Sequence, residues 1–168
     1  MIKVFKIGGN VVDNEELLQS FCKEFSMTEG PKVLVHGGGV LASSIQKALG
    51  LQPLKIEGRR VTDDDSLKVV TMVYGGLVNK SIIAQLQANG VNAIGLTGAD
   101  MNYMRSDKRP VKTVDYGYVG DVKSVDGKRL ADLIASGVVP VMAPLSFSKE
   151  YGLLNTNADP IAAETAKS

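Results

Sequence analysis

The feature that most constrains this chain is an alternation. Apolar, strand-like runs at 2–7, 32–36, 91–96 and 138–143 take turns with helix-like stretches at 14–25, 40–49, 63–88 and 126–136. Strands separated by helices pair in parallel, because a parallel neighbour needs a long crossover that a helix fills. Right-handed crossovers then put helices on both faces of the sheet. The sequence predicts an α/β fold with a mainly parallel sheet. Ligands bind such a sheet outside the carboxyl ends of its strands. The loops at those ends are Gly8-Gly9-Asn10, Gly37-Gly38-Gly39, Thr97-Gly98-Ala99-Asp100 and Asn155-Thr156-Asn157-Ala158-Asp159, and they are the candidates for one common site.

The glycine triplet is the sharpest of these signals. Val33, Leu34 and Val35 read as a buried strand, and residues 40–49, with apolar positions at 41, 45, 48 and 49, read as a helix. Glycine gives up more backbone entropy on folding than any other residue, so three in a row imply a backbone that something must approach closely. A glycine turn at a helix start offers free N–H groups to an anion. The plainer reading is a tight turn with close helix–sheet packing.

Composition narrows the partners. The 168 residues are 44% hydrophobic and 22% charged with a formal net charge of +1, and the one run of like charge is Asp63-Asp64-Asp65. That is the balance of a folded domain with no basic stripe for nucleic acid. Cys22 is the only cysteine, which rules out an internal disulfide and fits a reducing, cytoplasmic setting. No apolar run reads as the roughly 18 residues of a membrane span, and no signal peptide is expected.

Several local features carry their own expectations. Thr62 followed by Asp65 has the form of a capping box, so the acidic triplet reads as a helix start rather than a metal site. Gly75-Gly76 falls inside the long helical pattern, where a kink or a close contact is expected. Between 97 and 125 short alternating pieces and turns at Lys108-Arg109-Pro110 and Tyr116-Gly117 predict hairpins over the end of the sheet. The C-terminal "LNTNADPIAAETAKS" reads as a strand end, a polar turn and the start of a helix, and looks cut short.

Lys6 stands in an otherwise buried strand, a costly place for an ammonium unless it reaches an anion. With glycine loops beside it, that anion reads as a phosphate. The Walker pattern is absent, since Gly75-Gly76-Leu77-Val78-Asn79-Lys80-Ser81 lacks the second glycine and follows a helix. A dinucleotide fingerprint fits in part: Gly37, Gly39 and Ala42 follow a strand, and Glu57 lies 20 residues after Gly37. That makes an NAD-type oxidoreductase an alternative, which leaves Lys6, Arg60 and the Asn-x-Asn-x-Asp turn unexplained.

The segments "KIGGN" (6–10), "VHGGGV" (35–40), "GRRVTD" (58–63), "GYVGDV" (117–122), "VVPVMAPL" (138–145) and "LNTNADPIAAETA" (154–166) together resemble the acetylglutamate kinases of arginine biosynthesis, within the amino acid kinase superfamily. The resemblance runs the length of the chain. It implies a three-layer αβα sandwich with a mainly parallel central sheet, in which residues 1–168 are an N-terminal acylglutamate-binding and dimerisation domain that ends near the start of a nucleotide-binding domain. It implies phosphorylation of the γ-carboxylate of an N-acyl-L-glutamate by ATP with Mg2+, in a homodimer, with this piece inactive alone. Catalytic roles fall on Lys6 and Asp159, the first for the transferring phosphoryl group and the second to position lysines. Gly9, Gly38 and Gly39 offer N–H groups to the phosphoryl, Gly38 and Gly39 also border the substrate, Arg60 pairs with the α-carboxylate, and Asn155 and Asn157 hold the acylamino group. No metal ligand among the side chains is implied.

The residue chemistry is consistent with those roles. A γ-carboxylate is already ionised at neutral pH and needs no general base. Transfer between two anions is mostly positioning and charge neutralisation, and an arginine fork suits a planar carboxylate. His36, the only histidine, reads as a packing residue. Asp159 has a structural alternative as a helix N-cap. Tyr118 and the stretch 101–110 depart from the family pattern, which leaves acetyl and succinyl both open as the acyl group. A non-catalytic domain that senses acylamino acids is the alternative outside enzymes.

Overall fold

The computed structural model describes residues 1–168. In chain order the elements are β1 (Lys3–Ile7), α1 (Gly9–Val12), α2 (Glu15–Met27), β2 (Lys32–His36), α3 (Gly39–Ala48), β3 (Lys55–Ile56) and β4 (Arg59–Arg60). A long helix follows as α4 (Asp64–Val70), a π-helical stretch Thr71–Val78 and α5 (Asn79–Ala88). Then come β5 (Ala93–Leu96), β6 (Met104–Lys108), β7 (Gly120–Val125), α6 (Gly127–Ala135), β8 (Val139–Met142), β9 (Leu145–Ser148), β10 (Gly152–Asn155) and α7 (Ala158–Lys167).

The four expected strands form one sheet in the order β1-β2-β8-β5, parallel throughout. Strand periodicity sorts their side chains into two cores. Ile7, Leu34 and Val141 face α2, α3 and the long helix, where Cys22, Phe25, Val70, Val73, Ile82 and Leu86 are buried. Val33, Val35 and Met142 face the other way, against Leu130 of α6 and Ala158 and Ile161 of α7. These are the three layers of an αβα sandwich. The same parity sends Lys6, next to Val4, toward the α7 side. A second sheet, β10-β9-β6-β7, and the β3–β4 hairpin lie beyond the parallel sheet, as the turn signals between 97 and 125 predict for hairpins.

Helix starts follow local chemistry with two corrections. Asn14 Oδ1 accepts the Leu17 N–H at 3.0 Å to cap α2, and Asp126 caps α6 through the Arg129 N–H. The long helix is capped by Asp63, whose carboxylate accepts the Ser66 N–H at 2.8 Å, one residue later than the Thr62 capping box predicts. Thr62 is instead occupied by strand-like pairing with the 116–118 segment. At α7 the cap is Asn157, which accepts the Asp159 N–H at 3.0 Å, so Asp159 belongs to the first turn and its reading as an N-cap is set aside.

The glycine pair 75–76 lies within a π-helical stretch, and the expected close contact is not found, since a Cβ at Gly75 would come no nearer than 3.5 Å to Leu145 Cδ1 and one at Gly76 would meet nothing within 4 Å. The whole helix Asp64–Ala88 spans 25 residues and contains an 18-residue window with a mean hydropathy of 1.3, long and apolar enough to cross a bilayer. That corrects the expectation that no run has such length. Here it serves as a core helix, with Val69, Val70, Val73, Tyr74, Val78, Ile82 and Leu86 buried.

Candidate functional site

Three of the four candidate loops meet. A cleft of about 330 Å³ at the carboxyl end of the parallel sheet is lined by Lys6, Gly8, Gly9, Gly37–Gly39, Arg60, Asn155 and Asn157 among others. The fourth loop does not reach it. Thr97–Asp100 closes on itself, with Asp100 Oδ2 accepting both the Thr97 N–H and its hydroxyl, and Gly98 lies so close to β9 that a Cβ there would come 2.7 Å from Ser146 Cα.

Each site residue sits at an element boundary. Lys6 is the penultimate residue of β1, and its Nζ lies 2.7 Å from Asp159 Oδ1 in the first turn of α7. Gly9 opens α1, Gly39 opens α3, and Asn157 precedes α7. Three helix N-termini, each with N–H groups that lack intrahelical acceptors, therefore border one cleft together with the Lys6 ammonium. That is an anion-binding arrangement.

The glycine triplet divides its work. A Cβ at Gly37 would sit 3.4 Å from the Gly9 nitrogen, so that position serves the close packing of two loops, the plainer of the two readings. Gly38 has φ 146° and would press a Cβ within 3.3 Å of Val78 Cγ2, a conformation L-residues rarely adopt. Gly39 alone opens toward free space, with only the Tyr74 hydroxyl within 4 Å of a Cβ.

Arg60, the last residue of β4, is 7% exposed and takes part in no salt bridge. Its guanidinium donates to Gln46 Oε1, to the Gly39 carbonyl at 3.0 Å and to Ser43 Oγ at 2.8 Å. Burial raises the Tyr74 phenol above its ordinary range, with the nearby Arg60 opposing in part, so Tyr74 is a neutral wall. Asn155 Nδ2 donates to Thr62 Oγ1 at 2.9 Å, which fixes the amide beside the cleft.

Sequence reasoning missed the outer wall. Lys55, Arg59, Arg109, Val119 and Tyr74 also line the cleft. Lys55 and Arg59 had a signal in the β3–β4 hairpin, where Lys55 pairs with Arg60; Arg109 had none. Arg109 is held by Asp121, with Nη2 to Oδ1 at 2.6 Å. Tyr118 is not part of the wall; its ring carries the Lys108 ammonium at 4.9 Å. Glu57 forms the hairpin tip with Gly58, both at positive φ (51° and 75°), as a type I′ turn requires. The second parallel strand that a dinucleotide fingerprint needs is therefore a hairpin, and the NAD-type reading loses its acidic residue.

His36 is fully buried. Its Nδ1 lies 2.7 Å from the Gly37 carbonyl and its Nε2 3.1 Å from Asn79 Nδ2. With Nδ1 donating and Nε2 accepting, the ring is neutral, and burial pushes its pKa down to about 4. It packs and positions, and it faces no solvent from which to move a proton.

Glycine loops, a lysine and helix N-termini are pooled at the carboxyl end of the sheet in a three-layer αβα sandwich, an arrangement able to hold an anion. Residues 1–168 match the Amino acid kinase family over their whole length, and the chain belongs to that family. It is 60% identical over 166 residues to a protein of Bacteroides thetaiotaomicron named acetylglutamate kinase, with 99% of this chain and 65% of that one covered. The acetylglutamate kinase of Methanopyrus kandleri is 41% identical, covering 98% of this chain and 66% of that one. The chain thus spans about 65% of the length of such curated relatives. Among solved structures, smu.665 from Streptococcus mutans superposes with a TM-score of 0.81 at 29% identity, over 98% of this chain and 67% of that one. N-acetylglutamate synthase from Neisseria gonorrhoeae shares the fold, with a TM-score of 0.82 at 23% identity over 98% of this chain and 38% of that one.

Proposed function

We propose that this chain is the acylamino-acid-binding part of a cytoplasmic, ATP-dependent kinase that phosphorylates the γ-carboxylate of an N-acyl-L-glutamate in arginine biosynthesis. The observation that carries the reading is one cleft holding two kinds of cation. Lys6, flanked by glycine loops, suits a transferring phosphoryl group, and Arg60, buried and without a countercharge, suits a fixed carboxylate. The resemblance of the relatives named acetylglutamate kinase supports the same substrate class.

Within that reading, Arg60 anchors the α-carboxylate, and Asn155 and Asn157 border the acylamino group. The γ-carboxylate then lies toward Gly9, Gly39 and Lys6. Both reacting groups are anions, so the gain comes from N–H dipoles and ammonium charge already in place, which need not reorganise as charge shifts. Asp159 holds the Lys6 ammonium to one side of the cleft. ATP supplies the phosphoryl group, and the helix N-termini with Lys6 fit its terminal phosphate. No three His, Cys, Asp or Glu side chains converge here, so Mg2+ would take its ligands from the phosphates rather than from a protein cage.

The acyl group has a second reading beside acetyl. Lys55, Arg59 and Arg109 line the outer cleft with few apolar partners, which favours an acyl chain ending in its own carboxylate, such as succinyl. Calorimetry of the 168-residue polypeptide with acetyl- and succinyl-glutamate tests both. Binding of either is expected, and Arg60→Ala should weaken it about 30-fold, within the range for a lost charged hydrogen bond. No ADP release is expected from these residues alone, because the resemblance assigns ATP to a part outside them; ligand binding by a full-length protein that never releases ADP would favour the sensing domain instead.

A further inference from the structure

The buried guanidinium of Arg60 is surrounded only by neutral acceptors, and one of them has an unusual setting. Gln46, on α3, is 2% exposed. Its Oε1 accepts from Arg60 Nη1, and its Nε2 donates to Ser66 Oγ at 2.7 Å. Because a guanidinium only donates, the amide can face it only with oxygen, and Ser66 takes the other end. Ser66 is itself fixed at the start of α4, where its backbone N–H is bound by Asp63. A chain of contacts therefore runs from α4 through Gln46 to Arg60.

Glutamate has the shape of glutamine and would neutralise Arg60. Burying a guanidinium without a countercharge is costly, and the cost is offset only if something else brings the negative charge. We propose that Gln46 is a positioning residue that fixes Arg60 in orientation while leaving its charge uncompensated for a ligand carboxylate. Three of the five Arg60 N–H groups are engaged, which leaves Nε and one Nη1 hydrogen. Ser43, a rotatable hydroxyl, is the contact most readily given up to a carboxylate oxygen. Tyr74, the titratable neighbour on the facing helix, is neutral and does not compete. The proposal rests on reading Arg60 as a carboxylate anchor and says what keeps that anchor available.

The test compares the 168-residue chain with Gln46→Glu and Gln46→Met, by thermal unfolding and by calorimetry with N-acetylglutamate and N-succinylglutamate. Stability should rank Glu above Gln above Met: a carboxylate pairs with Arg60 and raises the midpoint by about 2–4 °C, whereas Met removes one of the three Arg60 acceptors and the amide that donates to Ser66 Oγ. Affinity should rank differently, with Gln first, Met a few-fold weaker and Glu weaker by at least about tenfold, since the new carboxylate supplies the countercharge that the ligand would otherwise bring. A purely structural Gln46 would make affinity follow stability, and that outcome overturns the proposal. So does a Gln46→Glu variant no more stable than the natural sequence. If the natural sequence binds neither acylglutamate, the functional reading falls, while the ligand-free stability order still decides whether Arg60 lacks a countercharge.

Discussion

Asp159 shows how much one side chain's role depends on its neighbour. As a helix cap it would be replaceable by asparagine at little cost, because the two cap about equally well. Asn157 already caps α7, and Asp159 instead holds Lys6 at 2.7 Å with its side chain 67% exposed. An ion pair that open to water adds about 0.2–1 kcal/mol at most, so Asp159→Asn should leave the unfolding midpoint nearly unchanged. Under the proposed function its effect falls on catalysis. In the full-length protein kcat should fall at least about a hundredfold, as when one preorganised electrostatic group is lost, with KM for the acylglutamate moved much less. An unchanged kcat in steady-state kinetics would remove Asp159 from the machinery.

At the scale of elements, β2 and the long helix are joined through a buried polar link. His36 ends β2, and Asn79 opens α5; the Asn79 amide donates toward His36 Nε2 and to the Val141 carbonyl at 3.0 Å, while Lys80 approaches Asn79 Oδ1 at 3.2 Å. The imidazole's folded pKa, about 4, lies below its ordinary 6.5. Between those values the unfolded chain binds the proton and the folded one does not. Stability from this group is therefore present above about pH 6.5, is lost as pH falls toward 4, and changes no further below that. Urea unfolding should show a loss of about 2 kcal/mol from this group between pH 7 and pH 5. The pH-dependent part should shrink by that amount in His36→Gln, whatever the variant's absolute stability; an undiminished slope would mean that His36 is protonated in the fold. The same link ties the glycine loop to the helix, since the other ring nitrogen holds the Gly37 carbonyl.

At the scale of the whole molecule, the long helix has more apolar surface than one sheet covers. Met72 and Leu77 remain 56% and 50% exposed within the π-helical stretch. Hydrogen bonds there run from i to i+5, so residues five apart lie close together on one side. An outward apolar strip on a helix calls for a partner, and a two-fold pairing of this helix with its copy is the simplest closed arrangement. Light scattering at micromolar concentration should report a dimer, and Met72→Lys with Leu77→Lys should shift it to a monomer without loss of helical circular dichroism. A monomer in the natural sequence would contradict the pairing.

The sequence by itself determined the layering and the place of the site. Hydrophobic runs of strand length alternating with amphipathic stretches admit only a parallel sheet between helices, and the carboxyl ends of its strands are marked by glycine and asparagine. Lys6, Gly9, Gly38, Gly39, Arg60, Asn155 and Asn157 were legible because each stands where an element begins or ends, and local chemistry governs such boundaries. The tertiary structure decided what local patterns do not contain: that the Thr97 loop turns away, that Asp63 rather than Thr62 caps the long helix, that Arg109 joins the wall, and that Gln46 stands beside Arg60. Those outcomes depend on contacts between residues far apart in the chain. Arg60 meets Gln46 across 14 residues and Asn155 meets Thr62 across 93, separations at which no periodicity or motif survives, and only the packing of whole elements against one another selects the pair.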